Sequence, residues 1–122
     1  MTRQKLRIKR AYEPPDAGDG ARVLVDRLWP RGLSRERAKI DLWLKEIAPS
    51  DGLRRQFHGD PSAWGRFKTA YYDELEQAAA QSALHALLDR LSHGPVTLLF
   101  AARDETRNNA VALMEWLENR VG

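Results

Sequence analysis

Alternation of charged and apolar positions opens the chain. In Lys5-Leu-Arg-Ile-Lys-Arg10, Leu6 and Ile8 share one side and basic residues the other. That period of two predicts a strand with one buried face, close to a sheet edge where Lys and Arg deter stray pairing. Glu13-Pro-Pro-Asp-Ala-Gly-Asp-Gly20 is turn-forming throughout. The next run, Arg22-Val-Leu-Val25, begins apolar on both faces, as an interior strand does. A short, helix-free connection between these two strands predicts an antiparallel pair. Val96-Thr-Leu-Leu-Phe-Ala-Ala102 is the most apolar run and reads as a central strand, parallel to a neighbour.

Helical spacing fills the remainder. Ser34 is placed to cap a short turn over 34–38. Residues 40–47 fit two templates: alternation gathers Ile40, Leu42 and Leu44, whereas a helix would gather Ile40, Trp43, Leu44 and Ile47. A strand near 41–47 is the preferred reading. Ser50 is the expected N-cap of a helix carrying Leu53 and Phe57 and ending at His58-Gly59. Asp60-Pro61 opens a longer helix whose buried stripe is Trp64, Phe67, Tyr71, Leu75 and Ala78. Ser82 opens another, stopped by Gly94-Pro95, and a last one runs from about Arg107 to Arg120. The expected fold is one α/β domain over residues 1–122, with about four strands in a mixed sheet and helices packed on it.

Composition narrows the function classes. With 43% apolar and 30% charged residues, the chain suits a soluble globular protein. It has no cysteine, which removes disulfides, thiolate metal sites and cysteine nucleophiles. No apolar run of membrane-spanning or signal-peptide length is visible, so a cytoplasmic location is expected. Net charge is +3, unevenly spread: residues 1–58 hold 14 Lys/Arg against 8 Asp/Glu, and residues 59–122 hold 6 against 9. A basic half attracts anions, phosphates among them.

Chemistry concentrates where two apolar runs end in charge, Val25-Asp-Arg and Ala102-Arg-Asp. If these strands are parallel neighbours, their ends meet on one rim, where ligands of open α/β sheets bind. Arg27, Arg31 and Arg103 would clamp a phosphate or carboxylate with guanidinium forks. Asp26 would orient them or accept a proton, with Asp104 alongside. Asn108 and Asn109 fall in the first turn of the last helix, where N–H groups favour an anion, although Asn is also a plain helix cap. Trp29, in the turn before Pro30 and Gly32, could stack on a base or a guanidinium, or close the core as a lid. His58, beside Asp60, is a second acid/base candidate, or simply a helix-end histidine. His85 and His93 are not at ligand spacing from it, so no metal is inferred. No Walker loop or Gly-x-Gly-x-x-Gly follows a strand, and no cofactor is expected.

Several segments together resemble a known family. These are Arg22–Ser34, Trp43-Leu-Lys-Glu-Ile-Ala-Pro-Ser50, Leu53-Arg-Arg-Gln-Phe-His58, Trp64 with Phe67 and Tyr71, Glu74-Leu75, Val96–Asp104 and Asn108-Asn109. They resemble the YeaO-like branch of the bacterial family catalogued as domain of unknown function 488. The likeness covers nearly the whole chain, and Val-Asp-Arg-Leu-Trp-Pro-Arg-Gly is its most specific stretch. It implies a small cytoplasmic α/β domain and no established activity. The residues it carries over are Asp26, Arg27, Trp29, Arg31, Lys45, Ser50, His58, Arg103, Asp104 and Asn109.

The leading expectation is a site for a small phosphate- or carboxylate-bearing ligand, with Asp26 and His58 as the residues available for proton transfer. Two alternatives stand beside it. One is a nucleic-acid-binding accessory protein using the basic half; the other is a partner-binding regulatory domain without catalysis. The residues leave open whether a reaction is run and what the oligomeric state is.

Overall fold

The computed structural model describes residues 6–57 and 60–121. Four strands, β1 (Leu6–Arg10), β2 (Ala21–Leu24), β3 (Leu42–Trp43) and β4 (Val96–Phe100), form one sheet in the order β1-β4-β2-β3. Five α-helices accompany it: α1 (Arg35–Ala38), α2 (Asp51–Phe57), α3 (Trp64–Leu75), α4 (Ala78–His93) and α5 (Asn109–Val121).

The sheet is wholly parallel rather than mixed. The expected antiparallel pairing of β1 with β2 does not occur, because β4 lies between them and pairs with both. Residues 11–20 do not turn back as a hairpin. They return to the start of the sheet, which a connection this long can do at roughly 3.3 Å per residue when the strand is only five residues long. A crossover normally needs a helix to cover that distance; here a single 3-10 turn over Ala17–Asp19, boxed by Asp16, is enough.

Alternation along the strands divides the core. Leu6, Val23, Val25, Val96, Leu98 and Phe100 belong to the main cluster, together with Tyr71 and Leu75 of α3, Leu84, Leu87 and Leu91 of α4, and Ala110, Leu113 and Leu117 of α5. The opposite face carries a smaller cluster, Ala11, Leu24 and Leu99, covered by Trp29, Leu33, Ile40 and Trp43. Every residue of β4 is buried, as expected of a central strand.

At the N-terminal end of the second face lies a buried ion cluster. The Asp19 carboxylate accepts from Arg22 Nη1 at 2.6 Å and from Lys9 Nζ at 3.0 Å. Thr97 Oγ1 donates to the Asp19 carbonyl at 2.8 Å. Burial alone would push the Asp19 carboxyl up, but the hydrogen bonds from Lys9, Arg22 and the Asp16 backbone more than reverse it and hold it below its ordinary value. The cluster pins the return loop to β1, β2 and β4 at once.

Two other expectations shift. Residues 40–47 are neither a full strand nor a helix: β3 has two residues, Asp41 N and Leu44 N extend its bonding to β2 at 2.8 and 2.9 Å, and Lys45–Ile47 closes as a 3-10 turn. α4 starts at Ala78, not at Ser82, because Ala78-Ala79-Ala80 are strong helix formers and Ala80 already packs into the core.

Two glycines make contrasting predictions. Gly20 has φ +65°, and a Cβ there would sit 2.1 Å from the Pro95 carbonyl oxygen, to which Ala21 N donates. Gly32 has φ +76° but open space around it. Gly20→Ala will therefore cost more than about 3 kcal/mol and Gly32→Ala about 1 kcal/mol in urea unfolding. Asp19→Ala leaves the buried Arg22 cation without its partner and will cost about 3–5 kcal/mol in the same measurement.

Candidate functional site

The parallel register Leu24↔Leu99 brings the ends of β2 and β4 side by side. Val25 N still donates to Leu99 O at 3.1 Å. One residue later the backbone ladder gives way to a side chain, and Ala101 N donates to Asp26 Oδ2 at 2.9 Å. Asn109, the first residue of α5, gives its amide protons to Asp26 Oδ1 at 2.9 Å and to the Val25 carbonyl at 3.0 Å. Trp43 Nε1 donates to the Asp26 carbonyl at 2.7 Å. Asp26 thus joins β2, β3, β4 and α5. Burial is the largest influence on its carboxyl and raises it above its ordinary value, against the two hydrogen bonds.

The chain between β2 and α1 is held by its own side chains. Trp29 Nε1 donates to Leu33 O at 2.6 Å, and its ring packs edge-on against Trp43 at 5.4 Å. Arg35 lies 5.1 Å over the Trp29 ring. Tyr12 Oη donates to the Arg31 carbonyl at 2.9 Å. Arg27 reaches the carbonyls of Ala48 and Pro49, at 3.2 and 3.3 Å. Asp26 makes no ion pair with Arg27; its carboxylate is taken up by Ala101 and Asn109.

Across the rim, Asp104 organises the loop into α5. Its carboxylate accepts from Thr106 N and Arg107 N, each at 3.0 Å, and from Thr106 Oγ1. These bonds, the Thr106 and Arg107 backbone amides first, hold the carboxyl at about 2. Asn108 caps the helix: its Oδ1 accepts from Val111 N at 2.9 Å while its Nδ2 donates to Asp104 O.

Between these two loops lies a cavity of about 850 Å³. Of the expected residues, Asp26, Arg27, Trp29, Arg31, Arg103, Asp104, Asn108 and Asn109 line it. Lys45 and Ser50 do not. Lys45 Nζ sits 4.4 Å over the Trp43 ring. Ser50 caps α2 through Leu53 N and clamps Glu74 of α3, donating from Oγ at 2.6 Å and from N at 2.9 Å. His58 lies outside the described residues. The structure adds residues that sequence reasoning missed: Tyr12, Arg54, Phe57, Trp64, Phe67 and Arg107 also line the cavity. Helical spacing grouped Trp64 and Phe67 correctly but could not distinguish a cavity wall from core. Among the described residues no carboxylate forms an ion pair with Arg27, Arg31 or Arg103, whereas Arg54 pairs with Asp51 and Arg107 with Asp104.

These features define a small parallel α/β domain with an arginine-rich cavity at its strand ends. Residues 5–122 match the inactive DUF488-N3 subclade, and the chain belongs to that family. It is 40% identical over 114 residues to the uncharacterized Escherichia coli protein YeaO, covering 93% of this chain and 97% of that one. Uncharacterized proteins of Mycobacterium bovis and Mycobacterium tuberculosis are each 38% identical over 116 residues, covering 95% of this chain and 96% of theirs. No solved structure matches the chain. No helix among the described residues is long and apolar enough to cross a membrane.

Carboxyl-carbon NMR will separate the two aspartates, with Asp26 titrating above 3.8 and Asp104 near 2. The signs for stability differ too. A raised group such as Asp26 contributes stability below its unfolded value that is lost as pH rises through the folded one; a lowered group such as Asp19 contributes above it and loses that contribution as pH falls.

Proposed function

We propose that this domain binds a small phosphate- or carboxylate-bearing ligand in the cavity at the strand ends, as a binding protein rather than a catalyst. The observation that carries the reading is that Arg27, Arg31 and Arg103, none in ion-pair contact with a carboxylate among the described residues, line one cavity from two separate strand ends. A guanidinium fork presents paired N–H donors suited to such anions. Asp26, Asp60 and Asp104, the carboxylates in the lining, already accept hydrogen bonds from protein groups, so they compete weakly for the arginines. The description of the family as inactive favours binding without turnover. Asp26, spent on holding the strand ends together, is read as a structural residue rather than a proton acceptor.

Thermal-shift measurements with a panel of phosphorylated and carboxylated metabolites test this. A bound anion will raise the melting temperature, and the shift will vanish in Arg31→Ala and Arg103→Ala but persist in Arg90→Ala, a change on α4 outside the cavity. Equal shifts in all three variants would remove the cavity from consideration. Binding only to oligonucleotides, weakening steeply with salt, would favour the nucleic-acid reading instead.

A further inference from the structure

The lining of the cavity is not uniform, and that carries an inference about its ligand, resting on the reading just given. Cationic residues come from the turn at 27–31, from Arg54 of α2 and from the loop at 103–107, while Phe57 of α2, Ala63 just before α3, and Trp64 and Phe67 in its first turn supply apolar lining. The rings are mutually packed: Phe57 meets Phe67 edge-on at 6.1 Å, and Trp64 stacks on Phe67 at 5.6 Å. Arg66 lies over Phe57 and Lys68 over Trp64, and neither cation lines the cavity. Leu28, 61% exposed, adds an uncovered apolar side chain to the lining.

Size points the same way. A bare phosphate or carboxylate fills on the order of one or two water volumes, about 30 Å³ each, against a cavity of about 850 Å³. Charge refines the class. Three arginines with no ion pair among the described residues match a phosphate monoester, which carries close to two negative charges at neutral pH, better than a single carboxylate. We infer that the ligand is a phosphate monoester that also carries an aromatic ring, of nucleoside-monophosphate size, its phosphate held by Arg27, Arg31 and Arg103 and its ring against Phe57, Trp64 and Phe67.

Isothermal titration of the full chain with AMP, ribose phosphate, adenosine and inorganic phosphate separates the two halves of this reading. AMP will bind roughly tenfold or more tighter than ribose phosphate, which is about 1.4 kcal/mol, and will quench tryptophan fluorescence. Trp64→Ala and the milder Phe57→Leu will lower AMP affinity toward that of ribose phosphate and leave ribose phosphate unchanged; Arg103→Ala will weaken both. Thermal unfolding of each variant verifies that it is folded, and Phe57→Leu keeps the test alive if Trp64→Ala is not. Equal binding of AMP and ribose phosphate, both lost in Arg103→Ala, would overturn the aromatic assignment and leave the anion site standing. No binding by any phosphate probe at millimolar concentration would overturn both.

Discussion

The molecule depends on how one carboxylate is held. Asp26 stands where β2 runs out, and it accepts the N–H that the residue after β4 would otherwise leave unpaired. Its other oxygen takes the amide of Asn109, fixing the start of α5 against the sheet. Withdrawing a carboxylate from water is costly unless its lone pairs are met. Here both oxygens are met, and each bond fixes a different element. The separation of the two rim loops, and so the width of the cavity, follows from this bracket. Asp26 is taken up by Ala101 and Asn109, and Arg27 is steadied by the carbonyls of Ala48 and Pro49 rather than by a carboxylate.

The other end of the sheet uses a second charged device. Asp19 with Lys9 and Arg22 fastens the chain that crosses the face left uncovered by α3, α4 and α5. An apolar plug would bury more simply, since ion pairs in low dielectric roughly break even with hydrophobic replacements. The pair of cations does something a plug would not: it links one loop carboxylate to two strands that are not neighbours.

Much of this was legible locally. The unbroken apolar run of β4 announced a central strand, and the sudden change from Val25 to Asp-Arg announced a strand end at a rim. Gly32, in the turn after Trp29, takes positive φ, as only a residue without a side chain does at little cost. The order of strands was not legible, because pairing is decided between residues far apart, and the short link from β1 to β2 suggested a hairpin that β4 displaces. The family likeness marked Lys45 and Ser50 alongside the arginines, yet the structure places them outside the cavity lining: one lies over Trp43, and the other joins α2 to α3. Trp64 and Phe67 have the spacing of core residues, and spacing does not record that one side of a stripe faces a void.

The position of β4 has a consequence for how the chain acquires its shape. The strand that both β1 and β2 pair with is encoded after α4, so β1 does not meet its sheet neighbour until α4 has been made. Pairings this distant in sequence are slow to close and leave edges exposed in the meantime. On the ribosome, the α3–α4 pair can collapse early, but the sheet cannot be completed until β4 has been made. The basic side chains of β1, Arg7 and Lys9, are then well suited to their interim task of keeping a lone strand in solution.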